Sequence, residues 1–333
     1  MHTLRTMRST LAAAMGLWAL AAPGLALSQG ADTYPSKPVT IIVPVAPGAA
    51  TENEGRIWAA KISETLGQQF VMDFKPGAAT TLGLGYVARQ KPDGYTLAYA
   101  NSSLPLVPLQ FRDLQFDAIK SFEQVSLLSK RGALIAVVNS LPIKNVQEYV
   151  AYARAHPGEI NFATSGNGGI QHMVGLWFVS ATNTKVTFIH YKAAAAAYPD
   201  FLAGRVQMMP LTYSGGFPSM VKTGKVRSIG TANLQRSPMA PDMPTLTEQG
   251  VTDYEYPSWL GIIAPAKTPA AIVNKLQGEF AKMSKLPEMQ QKLGEDTLLV
   301  ASTPDQFRRL ITAETDRWRK LVQENNIKFD EVN

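Results

Sequence analysis

Short apolar runs rich in β-branched residues alternate along this chain with longer stretches in which apolar positions recur every three or four residues. Runs at 39–43, 70–72 and 95–100 have the first character and 57–66 the second. Strands separated by helical segments imply crossover connections, hence a parallel sheet and an α/β fold. The rhythm restarts after Leu127. A strand at 133–138 is followed by a helix at 145–155 stopped by His156-Pro157-Gly158, a strand at 161–163, a helix from Gln171, and a strand at 187–189 that enters Tyr191-Lys192. Long helical segments at 270–284 and 303–323 close the chain. The pattern predicts two α/β lobes with a cleft between them, and leaves open which lobe the last third joins.

The opening residues stand outside this rhythm. Arg5 and Arg8 precede an apolar core at 11–22, and Ala26-Leu27-Ser28 is a small-x-small cleavage site, the layout of a secretory signal. The apolar core is too short for a permanent membrane span. Cleavage near Ala26 or Ser28 is expected, giving a soluble, exported mature protein from around Gln29. With no cysteine in 333 residues, a lipoprotein anchor, disulfides, thiolate metal sites and cysteine nucleophiles are excluded. Loss of Arg5 and Arg8 takes the 32 basic residues to 30 against 26 acidic, so the formal charge falls from +6 to +4. The basic residues are scattered, and no nucleic-acid partner is expected.

Where strand-like runs give way to helix, the residues are small. Val43-Pro44-Val45-Ala46-Pro47-Gly48-Ala49-Ala50-Thr51-Glu52, Lys75-Pro76-Gly77-Ala78-Ala79-Thr80 and Ala163-Thr164-Ser165-Gly166-Asn167-Gly168-Gly169 are three such turns. Small side chains let a ligand approach the backbone, and the first amides of a helix lack partners and lie at its positive end. Each turn is therefore a seat for a carboxylate or phosphate. One such turn has an equally good packing explanation; three, each followed by helix, favour ligand binding. Thr51, Thr80, Ser102, Ser165 and Asn167 add hydroxyl or amide donors. No arginine lies inside the turns, so anion recognition falls to amides, hydroxyls and water. Arg56, a turn further on, reads equally as a surface or packing residue. Ala193, which opens the alanine run 193–197, is either a fourth approach to the ligand or plain helix propensity. Phe74, Tyr213, Phe217 and Trp259 stand near these segments; core packing is the default, and one or two rings would hold a flat, partly apolar ligand.

Catalytic patterns are missing. His2 leaves with the signal, and His156, His172 and His190 show no H-x-x-x-H or H-E-x-x-H spacing. Neither Ser165 nor Ser214 sits in a G-x-S-x-G elbow, and Asp93 reads as a turn aspartate. His172, seven residues after Ser165, is either a polar contact to the site or a supporting helix-face histidine. No catalytic residue, metal or cofactor is expected. The alternative is a hydrolase or isomerase on a similar two-lobed fold, with His172 and Glu52 as acid and base.

An ordered set of further motifs carries a family likeness. Tyr34-Pro35-Ser36-Lys37-Pro38, Val43-Pro44-Val45-Ala46-Pro47-Gly48, Lys75-Pro76-Gly77-Ala78 and Pro92-Asp93-Gly94-Tyr95-Thr96-Leu97 come first. Ser165-Gly166-Asn167-Gly168 with His172, Tyr191-Lys192, Arg236-Ser237-Pro238, Pro241-Asp242-Met243-Pro244-Thr245 and Ala264-Pro265-Ala266-Lys267-Thr268-Pro269 follow. Over essentially the whole mature chain the sequence resembles the substrate-binding proteins of tripartite tricarboxylate transporters, the Bug receptors. The resemblance implies a two-lobed periplasmic binding protein of the Venus-flytrap, type II-like form. It would take a small carboxylate in the interlobe cleft, close by a hinge, and hand the ligand to a membrane permease of two unlike subunits. A monomer is expected, and a receptor that presents its closed form to a sensor is an alternative. The matched positions are Ala46 to Glu52, Ala78 to Thr80, and Ser165 to Gly168.

The candidate ligand-binding set is then Val45, Ala46, Gly48, Ala49, Ala50, Thr51 and Glu52; Ala78, Ala79 and Thr80; Ser102; Ser165, Gly166, Asn167, Gly168 and His172; and Ala193 and Tyr213. Departures from the family pattern replace polar or bare backbone with methyl and aromatic surface: Ala49, Ala50, Thr51-Glu52, Phe74, Ala79, Thr80, Ala193 and Gln207. They disfavour citrate-like and amino-acid ligands and favour a less polar carboxylate, such as a phthalate isomer or a benzoate. The division expected is a signal segment at 1–28, one lobe from 32–131 plus 256–333, and the other from 132–255.

Overall fold

The apolar run Val39–Val43 forms β1, buried at every position but Thr40. It leads into α1 (Ala50–Leu66), β2 (Phe70–Phe74), α2 (Thr81–Ala88) and β3 (Thr96–Asn101), then a short α3 (Val107–Gln110). Next come β4 (Phe122–Arg131), β5 (Ala133–Val138), α4 (Val146–Ala155), β6 (Asn161–Thr164), α5 (Ile170–Thr182), β7 (Thr187–His190), α6 (Tyr198–Leu202), β8 (Met208–Thr212), α7 (Phe217–Lys222) and β9 (Val226–Thr231). The chain ends with β10 (Trp259–Pro265), α8 (Ala270–Met283), α9 (Pro287–Leu293), β11 (Thr297–Leu299) and α10 (Pro304–Glu324). This computed structural model describes residues 33–329 except 46, 48, 49, 112, 214–216, 237–239, 253 and 257, with Ala50 and Thr51 described by backbone alone. The signal segment, Ala46, Gly48, Ala49 and Ser214 lie outside the described residues.

Two sheets result, one of six strands ordered β11-β4-β10-β3-β1-β2 and one of five ordered β7-β6-β8-β5-β9. The expected parallel sheets are in fact mixed. β1 pairs in parallel with β2 and β3, and β6 with β7 and β8, whereas β10, β4 and β11 pair antiparallel, as do β5 with β8 and β9. Only strands joined by a helical crossover must run parallel. Two strands arrive otherwise: β4 continues through Gly132 straight into β5 of the other sheet, and β10 enters the first sheet after the long 232–258 segment that follows β9.

The core follows from strand periodicity. In β5 all six residues are buried: Ala133, Ile135 and Val137 face one hydrophobic cluster and Leu134, Ala136 and Val138 another, so helices must cover both faces. α10 ties the molecule together. A capping box of Thr303 and Gln306 starts it. Its Phe307 and Ile311 join the cluster on the six-stranded sheet, while Trp318 and Leu321 join that on the five-stranded sheet. Between them the Glu314 carboxylate is buried and accepts the Trp259 indole N–H at 3.0 and 3.1 Å. Burial pushes this carboxyl up to about 8, against the opposing effect of the indole bond. Trp259, edge-on to Phe307, is thus a core residue. Among the described residues no helix is long and apolar enough to cross a membrane.

Candidate functional site

Parallel pairing sets the geometry. β1, β2 and β3 end at one edge of their sheet, with Val43 in register with Phe74, so the first turn, the second turn and Ser102 lie side by side. The first turn leaves β1 through buried Pro44 and half-buried Val45, and Ala50 and Thr51 open α1. Glu52 in that helix's first turn is not a free acid. It accepts Arg56 Nε at 2.9 Å and Nη2 at 2.5 Å, and the same guanidinium lies 5.9 Å from the Phe74 ring. With its charge balanced one turn away, Glu52 leaves the positive end of α1 compatible with an anion.

Among the described residues, the second turn holds the longest run of left-handed backbone. Gly77 (φ 133°), Ala78 (43°), Ala79 (48°) and Thr80 (81°) all have positive φ. Each left-handed non-glycine residue costs on the order of 1–2 kcal/mol, and a β-branched one is the rarest case. Thr80 donates its amide to the Gly77 carbonyl at 3.0 Å, and its Oγ1 is buried with no hydrogen-bond partner among the described residues. Gly83 of α2 seals the contact with the first turn. A Cβ there would lie 2.8 Å from the Lys75 carbonyl oxygen and 2.9 Å from Pro44 Cβ. Ser102, just beyond β3, is also buried.

On the other sheet β6, β7 and β8 likewise end together, with Thr164 in register with His190. Their ends carry the third turn, Ala193 and Tyr213. Ala193 is exposed and extended, whereas Tyr213 is half-buried, edge-on to Phe217, and donates its amide to the Gly132 carbonyl at 2.8 Å. In the third turn Gly166 (φ 118°) and Gly168 (69°) have positive φ, and Gly169 donates to the Gly166 carbonyl at 3.3 Å. The Gly168 amide, expected to face a ligand, instead donates to His172 Nδ1 at 2.9 Å, and its carbonyl accepts Gln110 Nε2 at 2.8 Å. Both backbone groups of Gly168 are therefore engaged within the protein. His172 itself is buried against Phe188 and His190. Burial, then the facing His190, hold its pKa down to about 4, so at neutral pH the ring is uncharged and Nδ1 accepts. Ser165 and Asn167 are half-buried in this turn.

Glu54 was not legible as a partner in sequence. One turn into α1 it is 3% exposed, accepts Arg131 Nε and Nη2, both at 2.9 Å, and accepts the Ser129 hydroxyl. Arg131 is the last residue of β4 before Gly132, so the helix behind the first turn is bonded to the strand that crosses between the sheets. Nothing local marks Glu54, because its partner is 77 residues away. Two surface grooves, one between 108–119 and α10 and one between α4 and the 249–251 turn, include no residue of the three turns. Among the described residues no group of three or more His, Asp or Glu is arranged to hold a metal. The strand ends thus offer helix-start amides and small hydroxyls, the chemistry of anion recognition.

Comparison with known proteins agrees with that chemistry. Residues 55–327 match the model of the tripartite tricarboxylate transporter family receptor. Protein BugT of Bordetella pertussis is 28% identical over 96% of this chain and 98% of its own length. Among solved structures, Rpa4515 of R. palustris with adipate superposes at a TM-score of 0.77, with 28% identity over 89% of this chain and all of that one. MatC of Rhodopseudomonas palustris with bound malate does so at 0.73, with 26% identity over 87% and 100%. Two mixed sheets joined by crossing strands, helix starts gathered at the strand ends, and a family match over most of its length place this chain in the tripartite tricarboxylate transporter receptor family.

Proposed function

We propose that this chain is a periplasmic receptor that captures a small carboxylate of low polarity, such as a phthalate isomer or a benzoate, and delivers it to a two-subunit membrane permease. One observation carries the reading: Thr80 Oγ1, buried without a partner in a left-handed turn at the start of α2, beside the start of α1. A buried hydroxyl left unpaired costs on the order of 1–3 kcal/mol, and a carboxylate oxygen would remove that penalty. The relatives solved with adipate and with malate support a carboxylate as the ligand class. The apolar preference rests on the methyls of Ala78 and Ala79 and the rings of Phe74 and Tyr213, at strand ends where more polar receptors would present bare backbone.

Binding is proposed to proceed by hinge closure. A ligand docked at one set of strand ends recruits amides and hydroxyls from the other, and its greater affinity for the closed form shifts the equilibrium. The proposed lobes are 32–131 plus 256–333 and 132–255, with β4–β5, the segment after β9, and α10 as the crossings. Isothermal calorimetry on the purified mature protein, with phthalate isomers, benzoate, adipate, malate and citrate, tests the reading. Saturable binding of an aromatic carboxylate ahead of citrate is expected. If only citrate bound, the apolar preference would fail; if none bound, the receptor reading would.

A further inference from the structure

The third turn is held from outside by the end of the chain. At the close of α10, Asn326 is left-handed (φ 50°), the Ile327 amide donates to the Val322 carbonyl (3.0 Å) and the Asn326 amide to the Gln323 carbonyl (3.3 Å). These are the two bonds of a Schellman motif, in which asparagine is the usual substitute for glycine. The two residues that flank the motif, Val322 and Ile327, both pack on the core of the five-stranded sheet. The chain is thereby turned back, and Phe329 lands on the same core. Asn167 Nδ2 donates to the Lys328 carbonyl at 3.3 Å, and the Phe329 ring fills the space that a side chain at Gly168 would need. Gln110, at the end of α3, also holds the Gly168 carbonyl.

We propose that residues 327–329 form a strap that fixes the third turn in its carboxylate-binding shape, with Phe329 and Gln110 as positioning residues. The inference rests on the receptor reading above. A turn of three glycines in five residues has a wide choice of backbone conformations, and ordering it carries a conformational-entropy cost. With the strap in place that cost is met before the ligand arrives, which is preorganisation. Phe329 and Gln110 both meet the turn at Gly168 and act through it, while Lys328 holds Asn167.

The test uses the full mature chain, with hydrogen–deuterium exchange on the ligand-free protein and calorimetry with adipate and the phthalate isomers. Phe329→Ala, Gln110→Ala and a chain ending at Asn326 should each speed exchange at the amides of 166–169 and weaken binding by about tenfold. The melting temperature should move by less than about 4 °C. Unchanged exchange and affinity in all three variants would overturn the strap and leave the receptor reading intact. A larger drop in melting temperature with exchange rising throughout the five-stranded sheet would make Phe329 a core residue, again overturning it. If the parent protein bound no carboxylate, the receptor reading would fall, and exchange at the turn would decide the strap alone: faster supports it, unchanged overturns it.

Discussion

Thr80 separates binding from stability at a single atom. Replacing it with valine keeps the β-branched shape and the strained backbone but removes the unpartnered hydroxyl. A structural hydroxyl would be missed in the folded state, whereas a ligand-binding one would not. We expect Thr80→Val to leave the melting temperature unchanged or slightly higher, and to weaken carboxylate affinity by about tenfold in calorimetry. Glu314 makes the complementary case, a titratable group whose role is internal. Its carboxyl has a pKa of 4.5 when exposed and about 8 when folded, so the native state holds the proton more tightly. The resulting stability is complete below pH 4.5 and is lost as pH rises toward 8. Glu314→Gln abolishes the titration, so thermal melts of parent and variant should diverge with increasing pH between 5 and 8.5. Parallel melting curves would contradict the assignment.

At the scale of elements, the join between the first two turns depends on how closely α2 approaches β1. Gly83 permits it, and an added methyl meets the backbone of Lys75 and the ring of Pro44. Gly83→Ala should cost about 1–3 kcal/mol in urea unfolding, as overpacking does, and should also weaken carboxylate binding because the turns are forced apart. An affinity loss without a stability loss would show that the contact is looser than described. Where strand and helix alternate by crossover, the elements were legible from periodicity: β5 at 133–138 coincides with its pattern, and the helix after Asn145 starts where that residue's side chain accepts the Glu148 amide. β4, β8, β9, β10 and β11 were missed; β8 and β9 flank β5 as its antiparallel neighbours. β4, β10 and β11 belong to the antiparallel half of the six-stranded sheet, where no helix-by-strand rhythm marks them, and β11 is only three residues long.

For the whole molecule, the proposed hinge is where charge is buried. Glu54 and Arg131 tie the helix behind the first turn to the strand that passes between the sheets, so the proposed ligand seat and the crossing move together. Removing one partner of a buried pair leaves the other uncompensated, at a cost of about 3 kcal/mol or more. Glu54→Gln should lower the urea midpoint accordingly. It should also reduce the ligand-induced contraction measured by small-angle scattering, since the crossing strand would no longer follow the turn. Full contraction at reduced stability would confine the pair to a structural role.

By itself the sequence determined the α/β class, the order of the strands and helices it marks in the crossover regions, and the places of the three small-residue turns proposed to seat an anion. These are local properties, set by side-chain period, by the size of residues at helix starts and by amides that no helix can satisfy internally. Only the tertiary structure decided what each candidate does. It made the sheets mixed, paired Glu52 with Arg56, and left Thr80 strained and unpartnered. It also turned the Gly168 amide onto His172, put Trp259 in the core, and placed Phe329 on the third turn. The Trp259–Glu314 and Phe329–Gly168 contacts join residues far apart in the chain, so no short window of sequence contains both members; the Glu52–Arg56 and Gly168–His172 bonds lie within one helical turn, but which rotamer and loop conformation makes them is set by the surrounding packing.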